Sequence, residues 1–450
     1  MAVSAGSGQV RGATTSEAAA EAGAPPGDFW QRVAHEFGED LAVDAPDRDR
    51  AGKPPYDEVA RLRESGLQTV LAPPGTAVAG TGAATRTGAE AGAGAETATE
   101  TATGTAWEDA CAIVRRIAAA DGSMGELLGR HYVLSWSPRF FAAPEHAADL
   151  ESRAAAEQWL WAGDFGLPGP GEAGRPGGGG ASPVLTPAAG GFLLSGHRVL
   201  ATAANVADRF VLDAVCTSTG EALVVLVDPR HPGVTRTPSP ERLGQRLADA
   251  GTVLFDDVPV PADQVLGPAA HDEDSSAPYA TVAPLALRLM LAHVALGIAE
   301  GALAEARDLS LAETHARWAA HGTGPLAPMP ATDADLLLAF GELALASCTA
   351  SAVVERATAA MARALRAGPE LDAGQRADVA ALVAAAEAAT FRTALLTGER
   401  VLELAEAEGL DRFWRNVRVL MGRALAAPTL RAIGDHFLHD TRAHRRQDPA

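Results

Sequence analysis

The stretch 250-AGTVLFDDVPVP-261 defines the middle of the fold. Val253 and Phe255 are two residues apart, so both side chains point to one face, as in a strand with a single buried face. The preceding residues 190–234 alternate short apolar runs with Gly, Asn and Pro, which is typical of strands joined by turns in an antiparallel sheet. We therefore predict a β-domain over residues 154–268.

Helical patterns flank this β-region on both sides. Before it, apolar residues recur every four positions along one helix face: Phe29, Val33, Phe37 and Leu41. After it, the segment from Pro284 to Ala306 is apolar on nearly every face, so this helix must be covered by others, which predicts oligomerisation. Segregated runs predict an α+β protein with a helical domain at 27–153 and a C-terminal four-helix bundle at 278–440, not a doubly wound sheet.

Two segments lack the composition of packed structure. Residues 1–26 consist of Ala, Gly, Ser and Pro with scattered charge, which predicts a disordered N-terminus. Residues 75–105 are a low-complexity run of Ala, Gly, Thr and Glu, which predicts a flexible loop inside the N-terminal domain.

The charge balance limits the classes of partner. The 450 residues include 37 basic and 57 acidic side chains, a net charge of −20, which argues against a nucleic-acid or anionic-membrane surface. No run of about 18 uninterrupted apolar residues is present, and the N-terminus lacks the pattern of a signal peptide. The three cysteines lie far apart without metal-ligand spacing, so we expect reduced thiols, no metal and a cytoplasmic location.

Three segments carry a resemblance to a known family. They are ADGSMGELLGRHY at 120–132, LGQRLADAGTVLFDDVPVPADQVLG at 243–267 and LDRFWRNVR at 410–418. The order of helical domain, β-barrel or sandwich domain and helical bundle resembles the acyl-CoA dehydrogenase fold. The three segments resemble its flavin-dependent monooxygenase branch, whose members include dibenzothiophene monooxygenase-like enzymes.

The resemblance implies an activity, a cofactor and an assembly. It implies a homotetramer that binds FMN between the β-domain and the bundle, and a separate NAD(P)H-dependent flavin reductase that supplies the FMN reduced. Reduced flavin and O2 would form a C4a-(hydro)peroxyflavin that oxygenates N, S or carbon of a small metabolite. The flavin carries this chemistry, and the protein supplies position, electrostatics and a dry cavity.

Arginines are the expected donors to the flavin phosphate. Arg415 and Arg418 are three apart on one helix face and can both bind a dianion, or they can form a salt bridge with Asp411 or Glu406 instead. By resemblance, Arg317 lies near the phosphate of the flavin in the adjacent subunit.

The other cofactor contacts are also implied by the resemblance. Asn416 would bind a flavin carbonyl or else satisfy a break in the backbone, and Gln245 with Arg246 would lie near the flavin or a subunit interface, with a surface ion pair as the alternative. Thr202 would place a hydroxyl along the N5 edge of the flavin, or be an ordinary strand residue. Trp161 would stack on the flavin ring or be a domain-core tryptophan.

His131 is the catalytic candidate. The family carries a histidine at this position, facing flavin and substrate. An imidazole there can hydrogen-bond the peroxide or take a proton from the substrate. The alternative is a histidine of the core whose hydrogen bonds are satisfied within the protein.

The chain departs from the family after the Trp-Arg-Asn cluster. Two family histidines are replaced by Leu420 and Arg423, and the catalytic glutamate of the dehydrogenase branch is replaced by Ala424. Leu420 and Met421 favour an apolar pocket. Two alternatives stay open: an acyl-CoA dehydrogenase-like oxidoreductase that uses FAD, and a catalytically degenerate flavin-binding or structural relative.

Overall fold

A computed structural model of the chain describes residues 26–73, 93–164, 183–239, 242–269, 277–321, 334–405, 407–421 and 426–439. Seven helices precede the sheet in this part of the chain: α1 Pro26–Ala42, α2 Ala45–Ala51, α3 Tyr56–Ser65, α4 Ala93–Ala120, α5 Gly122–Ser135, α6 Ser137–Phe141 and α7 Pro144–Ala156.

Helix α3 ends where its sequence requires, because Gly66 adopts φ of +76° and returns its N–H to Arg63 O. Helix α5 begins at Asp121, whose carboxylate accepts from Ser123 N at 3.0 Å and Met124 N at 3.2 Å.

Within the described residues the sheet has eight strands. Seven follow the order β6-β7-β3-β2-β4-β5-β8, and β1 pairs with β4 outside this order. The strands are β1 Trp161–Asp164, β2 Val184–Ala188, β3 Gly191–Leu200, β4 Arg209–Cys216, β5 Ala222–Val227, β6 Val234–Pro238, β7 Gly251–Pro261 and β8 Val265–Pro268. The expected burial of Val253 and Phe255 is confirmed. The predicted antiparallel pairing is present between most neighbouring strands, but β4 pairs in parallel with both β1 and β2.

Helices follow the sheet again: α8 Val282–His321, α9 Ala334–Ala367, α10 Ala373–Leu404, α11 Asp411–Met421 and α12 Ala426–His439. Helix α8 packs against α9 and α10, and also against α4 and α5, so that the N-terminal helices and the C-terminal region share one apolar core. The predicted α+β architecture of helices, sheet and helices is confirmed.

Two predictions about flexible segments meet the structure only in part. The predicted disordered segment 1–26 lies outside the described residues except for Pro26, which begins α1. Residues 75–92 of the predicted loop also lie outside them. Residues 93–105, however, are the first part of α4, because they extend a helix that the buried residues from Trp107 to Ile117 already fix, and so need no nucleus of their own.

In the described part of the chain, three helical spans are long and apolar enough to cross a membrane by length and composition: Val282–Ala316, Ala334–Glu370 and Ala373–Leu404. In the first, 89% of the most apolar window is buried inside the protein. The Pro284–Ala306 helix is therefore covered within one chain, so its apolar faces give no evidence for oligomerisation, which stays a prediction. Helix α9 differs, because only 22% of its apolar window is buried.

Candidate functional site

Side chains at the end of α5 bind the main chain of residues 67–71. The bonds are Tyr132 Oη to Leu67 O at 2.6 Å, His131 Nε2 to Gln68 O at 2.8 Å and Trp136 Nε1 to Leu71 O at 3.0 Å. All three acceptors are backbone carbonyls. The helix therefore holds the path of this segment whatever side chains the segment carries.

The second ring nitrogen of His131 is also engaged. Its Nδ1 accepts from Trp161 N at 3.1 Å, which requires the proton on Nε2, since Gln68 O can only accept. Burial lowers the pKa of His131 to about 4, so the ring is neutral at pH 7. Both nitrogens serve backbone groups, which favours the alternative of a satisfied core histidine. The catalytic role of His131 stays a prediction.

Trp161 begins β1 in the protein core. Its indole is 1% exposed and lies 5.8 Å from the ring of Trp159, as the core alternative requires. Strand β1 approaches β4 so closely that a Cβ on Gly163 would lie 1.7 Å from Val211 O. A cavity of about 30 Å³ beside Trp161 and His131 holds no more than one or two waters, so it is too small for a flavin ring.

Thr202 lies in the buried connection between β3 and β4. This connection is fixed by Asp249, which accepts from Asn205 N at 2.6 Å and Asn205 Nδ2 at 2.7 Å. Burial raises the pKa of the Asp249 carboxyl, against the opposing effect of the Asn205 hydrogen bonds. The connection is also bound to the residue that precedes β1, because Asp208 accepts from Leu160 N at 2.9 Å.

Left-handed backbone conformations concentrate in this connection and in the segment 242–250 packed against it. Ala203, Gln245 and Asp249 have φ of +54°, +55° and +57° without being glycine. Such residues persist only where their surroundings hold them, and they cluster at functional sites.

Gln245 is the residue of this group with unsatisfied polar atoms. It is fully buried, and neither its amide oxygen nor its amide nitrogen has a partner in the described part of the chain. Its backbone N donates to Asn416 Oδ1 at 2.6 Å. A Cβ at Gly244 would lie 2.2 Å from Arg415 O, so glycine is needed for this close approach. Asn416 therefore accepts from the backbone N–H of Gln245 and positions this residue. This role is close to the predicted alternative, in which Asn416 satisfies a break in the backbone.

Arg415 is committed to the protein itself. It donates to Asp411 Oδ2 at 2.8 Å, to Asp49 Oδ2 at 2.5 Å and to Leu243 O at 3.1 Å. The predicted alternative, an ion pair with Asp411, is therefore the arrangement present. With all three guanidinium nitrogens donating to protein acceptors, Arg415 has little capacity left for a phosphate.

Two other predicted arginines keep their charge available. Arg418 is exposed and lies over the Trp414 ring at 5.4 Å, and within the described residues Arg246 donates to Arg242 O at 3.2 Å. Neither pairs with a carboxylate of the described residues, so both are available to an anion. Arg317 belongs to α8, and its side chain lies outside what the structure describes. Arg423 and Ala424 also lie outside it, and Leu420 is buried.

Sequence reasoning missed Asp249 and Gln68. A lone acidic residue between apolar neighbours, as in Leu247–Val253, signals a buried structural carboxylate. Gln68 carried no signal, although its amide is buried without a partner among the described residues.

The residues around Gln245 fit a flavin. The pyrimidine edge of a flavin offers carbonyl acceptors and an N–H donor, and the unpaired Gln245 amide offers one group of each complementary kind. A buried polar side chain without a partner is costly unless a ligand completes it.

Comparisons with known proteins find flavin-dependent relatives. The chain is 27% identical over 425 residues to the probable FMNH2-dependent monooxygenase SfnC of Pseudomonas putida, covering 91% of this chain and 95% of that protein. It is 28% identical over 431 residues to a dibenzothiophene monooxygenase of Rhodococcus erythropolis, covering 90% and 92%. FMN-bound TdsC from Paenibacillus sp. A11-2 matches with a TM-score of 0.75 and 25% identity over 91% of this chain and 97% of that one.

No protein-family model matches the chain. Its fold is also that of butyryl-CoA dehydrogenase from Megasphaera elsdenii, with a TM-score of 0.67 at 18% identity over 92% of this chain and 98% of that one. The chain belongs to the acyl-CoA dehydrogenase-like superfamily and, within it, to the branch of FMNH2-dependent monooxygenases.

Proposed function

We propose that the protein uses FMN, reduced by a separate flavin reductase, and O2 to oxygenate N, S or carbon of a small apolar or amphipathic metabolite. The unpaired, fully buried amide of Gln245 at the junction of the sheet and α11 carries this proposal. When bound, reduced FMN supplies the electrons and activates O2. We also propose that the protein is located in the cytoplasm.

The chain's own residues bind and orient the cofactor in this proposal. Gln245 contacts the pyrimidine edge, and Asn416 fixes the Gln245 backbone through the 2.6 Å hydrogen bond. Arg246 and Arg418 provide positive charge for the phosphate. Buried Leu420, in place of a family histidine, favours an apolar substrate face.

The proposal is tested by titrating purified protein with reduced FMN under air and recording spectra, product and peroxide. We expect FMN to bind and oxygenated product to form only when a reductase or chemical reductant supplies reduced flavin. Bleaching of bound flavin by acyl-CoA thioesters without any reductase would instead show dehydrogenase chemistry. Absence of flavin binding would show a structural relative.

His131→Ala is expected to destabilise the fold by roughly 1–3 kcal/mol, because Trp161 N and Gln68 O lose their partner. A catalytic role would lower oxygen transfer by roughly 10²- to 10⁴-fold and raise peroxide release. Thermal melting, measured beside the ratio of product to peroxide, distinguishes the two. A changed ratio at an unchanged melting temperature would assign His131 to the chemistry.

His131 also makes stability depend on pH. The folded pKa of about 4 lies below the ordinary value of 6.5, so the unfolded state binds the proton first as pH falls. The neutral ring contributes its full stability above pH 6.5. As the pH falls from 6.5 to 4, the free energy of unfolding decreases by roughly 3 kcal/mol. Denaturant unfolding across this range should show a weaker pH dependence for His131→Asn than for the natural chain.

We propose a homotetramer whose contacts include the exposed apolar face of α9. Leu337, Leu338 and Leu345 are 59%, 63% and 69% exposed. Such a patch is typical of a protein interface. Leu338→Glu combined with Leu345→Glu should reduce the mass measured by light scattering, whereas Val43→Glu, at a position 85% exposed outside this face, should leave it unchanged. An unchanged mass for the double variant would contradict the interface.

A further inference from the structure

A second cavity, of about 610 Å³, lies between α4, α8 and α9, with Gln31 of α1 at its edge. This volume is in the range of small-molecule sites. None of the residues proposed to contact FMN lines it. Its polar residues are Gln31, Glu108, Arg115, Arg116, His293, Glu300, Glu355 and Thr358, and its small side chains are Cys111, Ala112, Ala119 and Ala359.

His293 provides an unused acceptor in this cavity. The residue is 4% exposed, and its Nε2 lies 2.8 Å from Thr358 Oγ1. Thr358 gives its one hydroxyl proton to Val354 O at 2.9 Å, so Oγ1 accepts from His293 Nε2–H. Nδ1 therefore carries a lone pair, and it has no partner among the described residues.

The surroundings of His293 exclude a positive charge at its ring. Burial, and secondly the Arg115 guanidinium, lower the pKa of His293 to about 3. Arg115 itself is held by Glu300 and Ser351. A neutral donor therefore matches Nδ1 better than a cation, because a cation would lose its hydration beside the Arg115 guanidinium, which already takes up the charge of Glu300.

The walls limit the shape of the ligand. Cys111 is buried and Ala359 is partly buried, and both present short apolar side chains. Burial raises the pKa of the Cys111 thiol well above its usual value, so this wall stays uncharged at neutral pH. A compact apolar ring can lie against these residues while one polar atom reaches His293.

We propose that this cavity binds a small neutral molecule with a compact apolar ring that donates one N–H to His293 Nδ1. The site is separate from the flavin site and does not depend on the proposed oxygenation. A neutral heteroaromatic N–H is the ligand chemistry that satisfies the buried acceptor without adding charge.

Benzimidazole tests the proposal, with 1-methylbenzimidazole as a matched probe that lacks the N–H. Calorimetric titration of the full-length protein, both FMN-loaded and FMN-free, should show saturable binding of benzimidazole with equal affinity in the two forms. The methylated probe should bind at least ~10-fold more weakly, because it has no N–H to donate and therefore leaves the buried Nδ1 acceptor unpaired. In protein with ¹⁵N-labelled histidine, benzimidazole alone should shift the His293 Nδ1 resonance.

Two variants locate the binding. Ala359→Phe fills the cavity and should abolish benzimidazole binding, whereas Ala352→Phe, at an exposed position of the same helix that does not line the cavity, should retain it. Circular dichroism checks that both variants fold, and His293→Phe provides a third test if Ala359→Phe does not fold. Equal binding of the two probes, binding unchanged by a folded cavity variant, or no saturable binding of benzimidazole would each overturn the proposal.

Discussion

Arg415→Ala is expected to lower the free energy of unfolding by about 3–5 kcal/mol, because it removes the partner of a buried carboxylate. Arg415 and Asp49 have side chains only 12% and 7% exposed and approach to 2.5 Å. The lost guanidinium also leaves Leu243 O without its donor, which loosens the segment next to Gln245. Urea denaturation at neutral pH, with the slope compared between variants, measures the effect.

Arg418 is the matched control, three residues along the same helix. Because Arg418 is exposed and pairs with no carboxylate of the described chain, Arg418→Ala should change stability by no more than about 0.5 kcal/mol. It should weaken FMN binding instead. The double variant Asp49→Ala with Arg415→Ala should recover part of the stability lost in Arg415→Ala. Equal destabilisation by Arg415→Ala and Arg418→Ala would contradict the assignment.

Gln245→Leu is expected to change stability and cofactor binding in opposite directions. In the flavin-free protein it removes two buried polar atoms that have no described partner, so stability should rise by roughly 1 kcal/mol. FMN affinity should fall by about 10- to 100-fold, since both hydrogen bonds to the flavin edge are lost. Fluorescence titration with FMN and thermal melting of the flavin-free form measure the two effects.

Variants of Asn416, which accepts from the backbone N–H of Gln245, provide the control for Gln245→Leu. Asn416→Asp keeps an oxygen that accepts from Gln245 N and should preserve FMN binding far better than Asn416→Leu, which leaves that N–H buried and unpaired. Should Gln245→Leu bind FMN as tightly as the natural chain, the amide has no role in the cofactor site.

Much of the fold could be predicted because its signals are local. The spacing of Val253 and Phe255 identified a one-sided strand, and Gly66 at a helix end and Asp121 at a helix start are local signals of the same kind. The parallel pairing of β4 could not be predicted, because two strands of the same pattern pair in either direction. Residues 93–105 were predicted as a loop from their low complexity, whereas they extend the buried helix that follows them.

The candidate site was predicted less well, because its partners are distant in sequence. Arg415 meets Asp49 across 366 positions, and no local pattern connects them. The sequence could offer an ion pair or a phosphate contact for Arg415, and only the three-dimensional arrangement distinguishes them. The unsatisfied amide of Gln245 is likewise invisible until the segment 242–250 packs on α11. The resemblance pointed to segments of the chain, and it did not specify the contacts that each side chain makes.

The way α5 holds residues 67–71 has a consequence for changing the enzyme. The donors His131, Tyr132 and Trp136 bind main-chain carbonyls of this segment, so replacing the side chain of Gln68 or Leu71 removes none of these three hydrogen bonds. Gln68 and Leu71 face the cavity beside Trp161 from this segment. These two positions therefore form a natural place for a combinatorial library, where the shape and polarity of the cavity wall can be varied widely on an unchanged backbone.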